Sequence, residues 1–345
     1  MKKKVEVQVQ KLQKTLSFDD VLIVPQKSDI KSRKEVDLTS EINDRKFALP
    51  IISSPMDTVT GPTMATTMTN HGGFGIIHRY NSIKEQVDLL RQVPPNTAAA
   101  AIGVTDDFIE RADALIKNGA FLLCIDVAHG HHTNVERAIK TLKDKFANRV
   151  SIMAGNVATA EAFVDLQDWG SDVIRVGVGG GSICSTRIQT AHGVPTFHSV
   201  YDCNQVSDTA VMVADGGIKN AGDIVKCFAA GADFVMLGSL LAGTKESPGQ
   251  VFQNAQGQKY KAYRGMASRE AQVAWRGKTS SLEGVATTVP YKGSVSNILL
   301  DLHQNIRSGL SYSGARTLKD FRQKAKIIRQ TPAGMNESST HILSR

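Results

Sequence analysis

Val176-Gly177-Val178-Gly179-Gly180-Gly181-Ser182-Ile183-Cys184-Ser185-Thr186-Arg187 runs from an apolar strand into a glycine-rich turn that presents a cysteine flanked by hydroxyls. Glycines let backbone N–H and C=O groups come close to a ligand or cation, and an accessible thiolate held there is a nucleophile. A tight turn over a buried cysteine has the same local text, so the flanking sequence decides. Outward from this stretch, short β-branched or apolar runs recur at 49–56, 73–78, 98–104, 121–127, 150–157, 173–178, 210–217 and 234–243. Nearly continuous apolar strands mean burial on both faces, hence a parallel sheet covered by helices. The text between them has helical spacing, as in Ile109, Ala112, Leu115 and Ile116 within 107–118. Eight such strand–helix units predict an α/β protein of the (β/α)8 TIM-barrel class. A doubly wound open sheet is the alternative.

The composition agrees with a globular protein. At 345 residues the chain accommodates one large α/β domain or two small ones, and 41% of it is hydrophobic. No apolar run approaches the roughly 20 residues of a membrane helix. No apolar signal core follows the basic start Met1-Lys2-Lys3-Lys4-Val5, so a cytoplasmic protein with no membrane partner is expected. Cys124, Cys184, Cys203 and Cys227 contain no C-x-x-C pair, which argues against a zinc site and a disulfide framework. Cys124 and Cys227 read as core fillers. The formal charge of +8 is concentrated at the ends (Lys2, Lys3, Lys4, Lys11, Lys14; Lys319, Arg322, Lys324, Lys326, Arg329). A solvated surface is the default reading and attraction of anionic nucleotides the second. Few aromatics speak against a nucleic-acid groove.

Active sites of such barrels lie at the C-terminal strand ends, and here those ends are rich in small and ionisable residues. They carry Ser53-Ser54-Pro55-Met56-Asp57, His78-Arg79-Tyr80, Asp126-Val127-Ala128-His129-Gly130, Gly155-Asn156, the Cys184 loop, Asp215-Gly216-Gly217 and Gly238-Ser239. The expected organisation is one catalytic domain over 1–345: a barrel at about 49–330, an active-site loop at 177–199, a flap at about 250–293 and a tail at 331–345. The text from Thr244 to Gly293 is polar and glycine-rich with little periodicity, and reads as a mobile flap over the barrel mouth. The tail reads as flexible.

Loops after strands seven and eight of these barrels often bind phosphate through backbone N–H groups. Gly216, Gly217, Gly238 and Ser239 suit that role, with Ser182 as a further donor. Asp215 would repel a phosphate and suits the hydroxyls of a ribose. Cys184 is the candidate nucleophile, with Thr186 in reach of the same ligand. Asp126 and Asn156 suit a cofactor amide or hydroxyls, or a helix N-terminus. Arg79 is expected to pair with Asp126 across the rim. His129, His131 and His132 do not have the spacing of a zinc helix and read as an exposed loop. Trp275 and Arg276 pack either on a nucleotide base or on the flap itself.

These motifs together resemble the IMP dehydrogenase/GMP reductase family. The resemblance begins at Leu16-Ser17-Phe18-Asp19-Asp20-Val21-Leu22 and continues through Met56-Asp57-Thr58-Val59, Ala154-Gly155-Asn156-Val157 and the Cys184 loop. It goes on in Asp215-Gly216-Gly217, Met236-Leu237-Gly238-Ser239-Leu240-Leu241-Ala242-Gly243, Tyr263-Arg264-Gly265-Met266 and Glu283-Gly284. It implies a barrel whose Cys184 attacks C2 of a purine nucleotide (GMP or IMP) to form a covalent adduct. It implies that Ser182, Asp215, Gly217, Gly238, Ser239 and Tyr263 hold ribose and phosphate, and that Gly265, Met266 and Glu283 contact the base. Asp126, Asn156 and Arg187 would face a nicotinamide cofactor, with Arg79 beside them. Carbonyls of Gly179, Gly181 and Cys184 would match a potassium site, where Gly180 replaces a usually bulkier residue. A homotetramer is implied as well.

Two activities divide the family. The dehydrogenase oxidises IMP with NAD and hydrolyses the adduct; the reductase expels ammonia from GMP and takes hydride from NADPH. Ala128-His129-Gly130, Tyr263-Arg264-Gly265-Met266, Gly193-Val194-Pro195, Glu246-Ser247-Pro248-Gly249 and Glu337-Ser338 resemble the dehydrogenase. Two absences point to the reductase. No room exists between Tyr80 and Thr97 for an inserted regulatory (CBS/Bateman) domain. The 266–283 flap lacks the Arg-Tyr pair that activates water, since Arg276 lies between Trp275 and Gly277. Thr186 and Glu283 match the reductase's hydroxyl–carboxylate relay. GMP reductase is therefore the expected activity and IMP dehydrogenase the alternative. A nucleotide-binding scaffold without turnover would need none of Cys184, Thr186 and Glu283.

Overall fold

The computed structural model describes residues 12–105 and 107–338. Lys2, Lys3, Lys4, Lys11 and the end of the tail from Ser339 onward lie outside the described residues. Eight strands, β1 (Ile51–Ser53), β2 (Phe74–Ile77), β3 (Ala98–Ile102), β4 (Ala120–Asp126), β5 (Ser151–Val157), β6 (Val173–Val176), β7 (Val211–Asp215) and β8 (Phe234–Leu237), pair in parallel and in sequence. β8 returns to β1 through Val235↔Ile51 and Leu237↔Ser53, closing the barrel. The predicted TIM barrel is the observed fold.

The helices that follow the strands are α1 (Pro62–Asn70), α2 (Ile83–Leu90), α3 (Phe108–Lys117), α4 (Thr133–Phe146), α5 (Ala160–Asp168), α6 (Thr196–Asn204), α7 (Ala221–Ala230) and α8 (Val295–Ser311). Short polar side chains set several of their starts by accepting a first-turn N–H: Ser82 from Glu85, Thr159 from Ala162, Asn220 from Asp223 and Ser294 from Ser296. Between α2 and β3 the chain has only residues 91–97, so no inserted module separates them.

Alternate residues along each strand face opposite ways. Ile52, Ile76, Ala101, Leu122, Met153, Val213 and Met236 fill the barrel interior, while Ile51, Ile77, Ala100, Leu123, Ile152, Met212 and Val235 pack outward on the helices. At the N-terminal end a hairpin of Ser40–Ile42 with Arg45–Phe47 closes the barrel. Phe47 inserts there against Phe74, Phe121 and Phe234, with ring centroids 4.9, 6.0 and 5.6 Å away.

The segment after β8 differs from its sequence reading. Three antiparallel strands, Val251–Gln253, Lys259–Arg264 and Ala286–Pro290, form a sheet, with a helix at Arg269–Arg276. The two outer strands are largely exposed on both faces, so no hydrophobic alternation marks them. Just before the tail, Ile327–Arg329 pairs antiparallel with Val21–Ile23, and within the described part of the tail Pro332–Glu337 is helical behind the Thr331 cap.

Candidate active site

The barrel's inward period places charge in its uppermost layer. On β4 the inward series Leu122, Cys124 ends in Asp126; on β6 Val173 is followed by Arg175; on β7 Val213 is followed by Asp215. Arg175 is 6% exposed. Its Nη1 donates to Asp126 Oδ1 (2.7 Å) and to Cys124 Sγ (3.4 Å); its Nη2 and Nε donate to Asp215 Oδ2 (2.8 and 3.1 Å). Asn156 Nδ2 donates to the same Asp215 oxygen and to the Gly177 carbonyl, both at 2.8 Å. Attraction to the two carboxylates outweighs burial and holds the Arg175 pKa above the ordinary arginine value. Burial pushes the Cys124 thiol up to about 12.

Above this layer the β6 loop must bend back across the barrel mouth. At Gly177 (φ +146°) a Cβ would lie 1.9 Å from the Asp215 carbonyl oxygen, so only glycine fits. The loop delivers Cys184 partly exposed, whereas Cys124, Cys203 and Cys227 are buried. The Cys184 thiol donates to Thr186 Oγ1 at 3.1 Å, and that hydroxyl donates to Glu283 Oε2 at 2.9 Å. Ser281 Oγ donates to the other carboxylate oxygen at 3.2 Å. The loop and flap are stitched together at this point. Ser185 N–H donates to the Glu283 carbonyl (2.9 Å), Val285 N–H donates to the Ile183 carbonyl (3.0 Å), and Cys184 bridges Gly284. This pairing brings Thr186 and Glu283, 97 positions apart, to one nucleophile.

The cleft has a volume of about 440 Å³. One end gathers Ser182, Gly217, Gly238, Ser239 and Tyr263, with Gly265 and Met266 nearby. Ser182 Oγ lies 3.4 Å from Tyr263 OH, whose pKa burial raises. A Cβ on Gly238 would stand 3.2 Å from that hydroxyl. Among the described residues, the Ser239 and Leu240 N–H groups donate to no backbone carbonyl. Glycine, free N–H groups and hydroxyls at a barrel's strand-seven and strand-eight ends make an anion cradle.

The other end gathers Asp126, Asn156, Arg79, Tyr80, Trp275 and Arg276. Arg79 does not pair with the Asp126 carboxylate as expected. Its Nε and Nη2 donate to the Asp126 carbonyl (3.2 and 3.1 Å), because Arg175 holds the carboxylate. Trp275 packs edge-on to Tyr80 (5.0 Å), with Arg79 over Tyr80 (4.9 Å) and Arg276 over Trp275 (4.1 Å). Arg187 is absent from the cleft lining. It turns away to donate to the Val194 carbonyl (2.6 Å), with its stem against Gly179 and Gly193. Of the three histidines, His132 caps α4 and His131 meets Asp165 at 2.6 Å. Sequence reasoning missed two groups. Arg175 is one. The other is the Asp57–Arg264 pair, whose Nε–Oδ2 distance of 3.0 Å ties the flap to the end of β1.

The family model for the IMP dehydrogenase / GMP reductase domain matches residues 15–341. An inosine-5'-monophosphate dehydrogenase of Nitrosopumilus maritimus (strain SCM1) is 32% identical over 467 aligned residues, covering 94% of this chain and 98% of the relative. A GMP reductase of Leishmania major is also 32% identical, over 479 residues, covering 96% and 97%. A solved structure of a cysteine-to-alanine GMP reductase from Trypanosoma brucei, in complex with guanosine 5'-monophosphate, superposes with a TM-score of 0.92 at 30% identity, covering 96% of this chain and 98% of that one. Both alignments exceed 345 residues, so both relatives carry residues with no counterpart here. The extra length accompanies either activity. The missing insert, read above as a sign of the reductase, therefore favours neither.

Proposed function

Because this chain belongs to the IMP dehydrogenase/GMP reductase family, and is thereby an oxidoreductase of purine nucleotides, we propose that it converts GMP to IMP and ammonia using NADPH. The whole chain then acts as one catalytic domain. The observation that carries this reading is the Cys184–Thr186–Glu283 chain of hydrogen bonds at 3.1 and 2.9 Å. Glu283 draws the thiol proton through Thr186, and the Cys184 sulfur bonds to C2 of the base. The same pair returns the proton to the 2-amino group, which leaves as ammonia. A nicotinamide cofactor, when bound, would supply the hydride that C2 needs before the carbon–sulfur bond breaks, which returns the Cys184 sulfur as the leaving group and frees IMP. The Ser182–Ser239 end receives phosphate, Asp215 the ribose hydroxyls, and Gly265 and Met266 border the base. Asp126 and Asn156, with Tyr80, Trp275 and two arginines beyond them, suit the amide, rings and diphosphate of the cofactor.

Potassium enters no step. The carbonyls of Gly179, Gly181 and Cys184 stay its expected ligands on the family resemblance alone. A homotetramer belongs to this reading on the family resemblance alone, and the cytoplasmic setting on the sequence reading above. Beside the dehydrogenase-like motifs of the sequence, the structure offers the dehydrogenase reading one feature: Arg276 lines the cleft and stacks on Trp275, and it would have to activate water.

Absorbance at 340 nm separates the two. Purified protein with GMP and NADPH is expected to consume NADPH and release ammonia. Sustained NADH formation from IMP and NAD, with no NADPH consumption, would replace the reductase by the dehydrogenase. Glu283→Gln is expected to slow NADPH consumption by about 10²–10⁴ while GMP still binds; unchanged turnover removes Glu283 from the relay.

A further inference from the structure

Among the described residues, the cradle that this reading gives to the nucleotide phosphate contains no cation of its own. Arg79 and Arg276 lie at the opposite end of the cleft, and the charge of Arg175 is taken up by Asp126 and Asp215. A phosphate monoester carries close to two negative charges at neutral pH.

Behind the cradle stands Lys292. Its Nζ donates to the Ser239 carbonyl (2.6 Å) and to the Leu240 carbonyl (3.2 Å). The Ser239 carbonyl belongs to the same peptide group as the Leu240 N–H, one of the two N–H groups left without a backbone partner. An ammonium on the oxygen end of a peptide polarises the N–H at its other end, as in any chain of hydrogen bonds. Among the described residues no carboxylate pairs with this ammonium, and partial burial lowers its pKa.

The side chain is also unnecessary for holding the segment. Lys292 N–H donates to the Gly243 carbonyl (2.9 Å), Lys245 N–H to the Gly293 carbonyl (2.7 Å), and Leu241 and Ala242 N–H groups to the Gly238 carbonyl (3.0 and 2.9 Å). The backbone alone zips 238–245 to 292–293.

We propose that Lys292 is a positioning residue for the substrate phosphate, acting through the Ser239–Leu240 peptide to favour the dianionic monoester of a purine nucleotide over the nucleoside. The inference rests on the nucleotide reading of the site given above.

Calorimetric binding of GMP and of guanosine tests it without requiring turnover. In K292Q an amide retains donors for the carbonyls but loses the charge; in K292M both are lost. Both variants are expected to bind GMP about tenfold more weakly, equivalent to about 1.4 kcal/mol, with guanosine binding unchanged. K292R should stay within about twofold of the wild type, the charge being preserved. Wild-type affinity for GMP should rise from pH 5.5 to 7.5 as the phosphate loses its second proton near about pH 6, and K292Q should show a smaller rise. GMP binding by K292Q equal to the wild type overturns the proposal. An equal loss for GMP and guanosine overturns it too, since Lys292 would then only shape the loop. Wild-type protein that binds neither GMP nor IMP overturns the nucleotide reading itself, a result the variants cannot mimic.

Discussion

Arg175 has five N–H donors, shared among Asp126, Asp215 and the Cys124 sulfur beneath a site that is otherwise open to ligands. Replacing it with methionine preserves much of the volume but leaves two carboxylates facing each other with no cation between them. Removing one partner from a buried ionic group costs about 3–5 kcal/mol, so R175M is expected to lower the urea midpoint strongly at pH 7. Equal stability of R175M and wild type at pH 7 would show that the layer does not depend on the guanidinium. The legibility of the site in the sequence divides along similar lines. Cys184, Thr186 and Glu283 stand in motifs, and the structure joins them. Arg175 stands in Val173-Ile174-Arg175-Val176, which reads as a buried strand because three of its four residues are apolar. The available signal was its register: it is two positions beyond an inward valine, as Asp215 is beyond Val213. The partner of Arg79 and the direction of Arg187 were not legible for a different reason. Long cationic side chains reach backbone carbonyls as readily as carboxylates, and sequence does not show which carbonyls are free.

At the level of elements, the flap helix Arg269–Arg276 has little of its own to hold it down. Ala271 and Gln272 are its buried residues, and its contact with the rim runs through Trp275, which meets Tyr80 between the guanidinium groups of Arg79 and Arg276. An aromatic contact of this kind contributes about 0.5–1.5 kcal/mol, enough to bias a local opening but small beside global stability. Trp275→Ala should therefore speed tryptic cleavage after Arg276 or Lys278 several-fold and leave the global unfolding transition in place. Cleavage at the wild-type rate would mean that the helix is held by its own hydrogen bonds, including those from Gln272 to the Ala267 and Ser281 carbonyls. The sheet of this segment was not legible in the sequence. A strand shows itself through burial of one face, and Val251–Gln253 buries neither.

Across the whole molecule the barrel separates stability from chemistry. The ionisable layer, the nucleophile and both ends of the cleft lie at the C-terminal strand ends, while the N-terminal end is sealed by a hydrophobic plug. The eight strands were legible because burial on both faces leaves each as an apolar run. The plug was not, because its hairpin Ser40–Ile42/Arg45–Phe47 is polar apart from Ile42 and Phe47. Phe47 fills the space among Phe74, Phe121 and Phe234, and no residue of the hairpin borders the cleft. Phe47→Ala leaves a cavity among three rings and should cost about 3 kcal/mol, read as a lower denaturant midpoint with an unchanged slope. At temperatures where the variant stays folded, kcat and the KM for GMP should match the wild type, since conservation of the upper rim geometry depends on the strands and not on the floor. A shift in KM without loss of stability would show that the interior transmits changes from floor to rim, and that the two ends of this barrel are not independent.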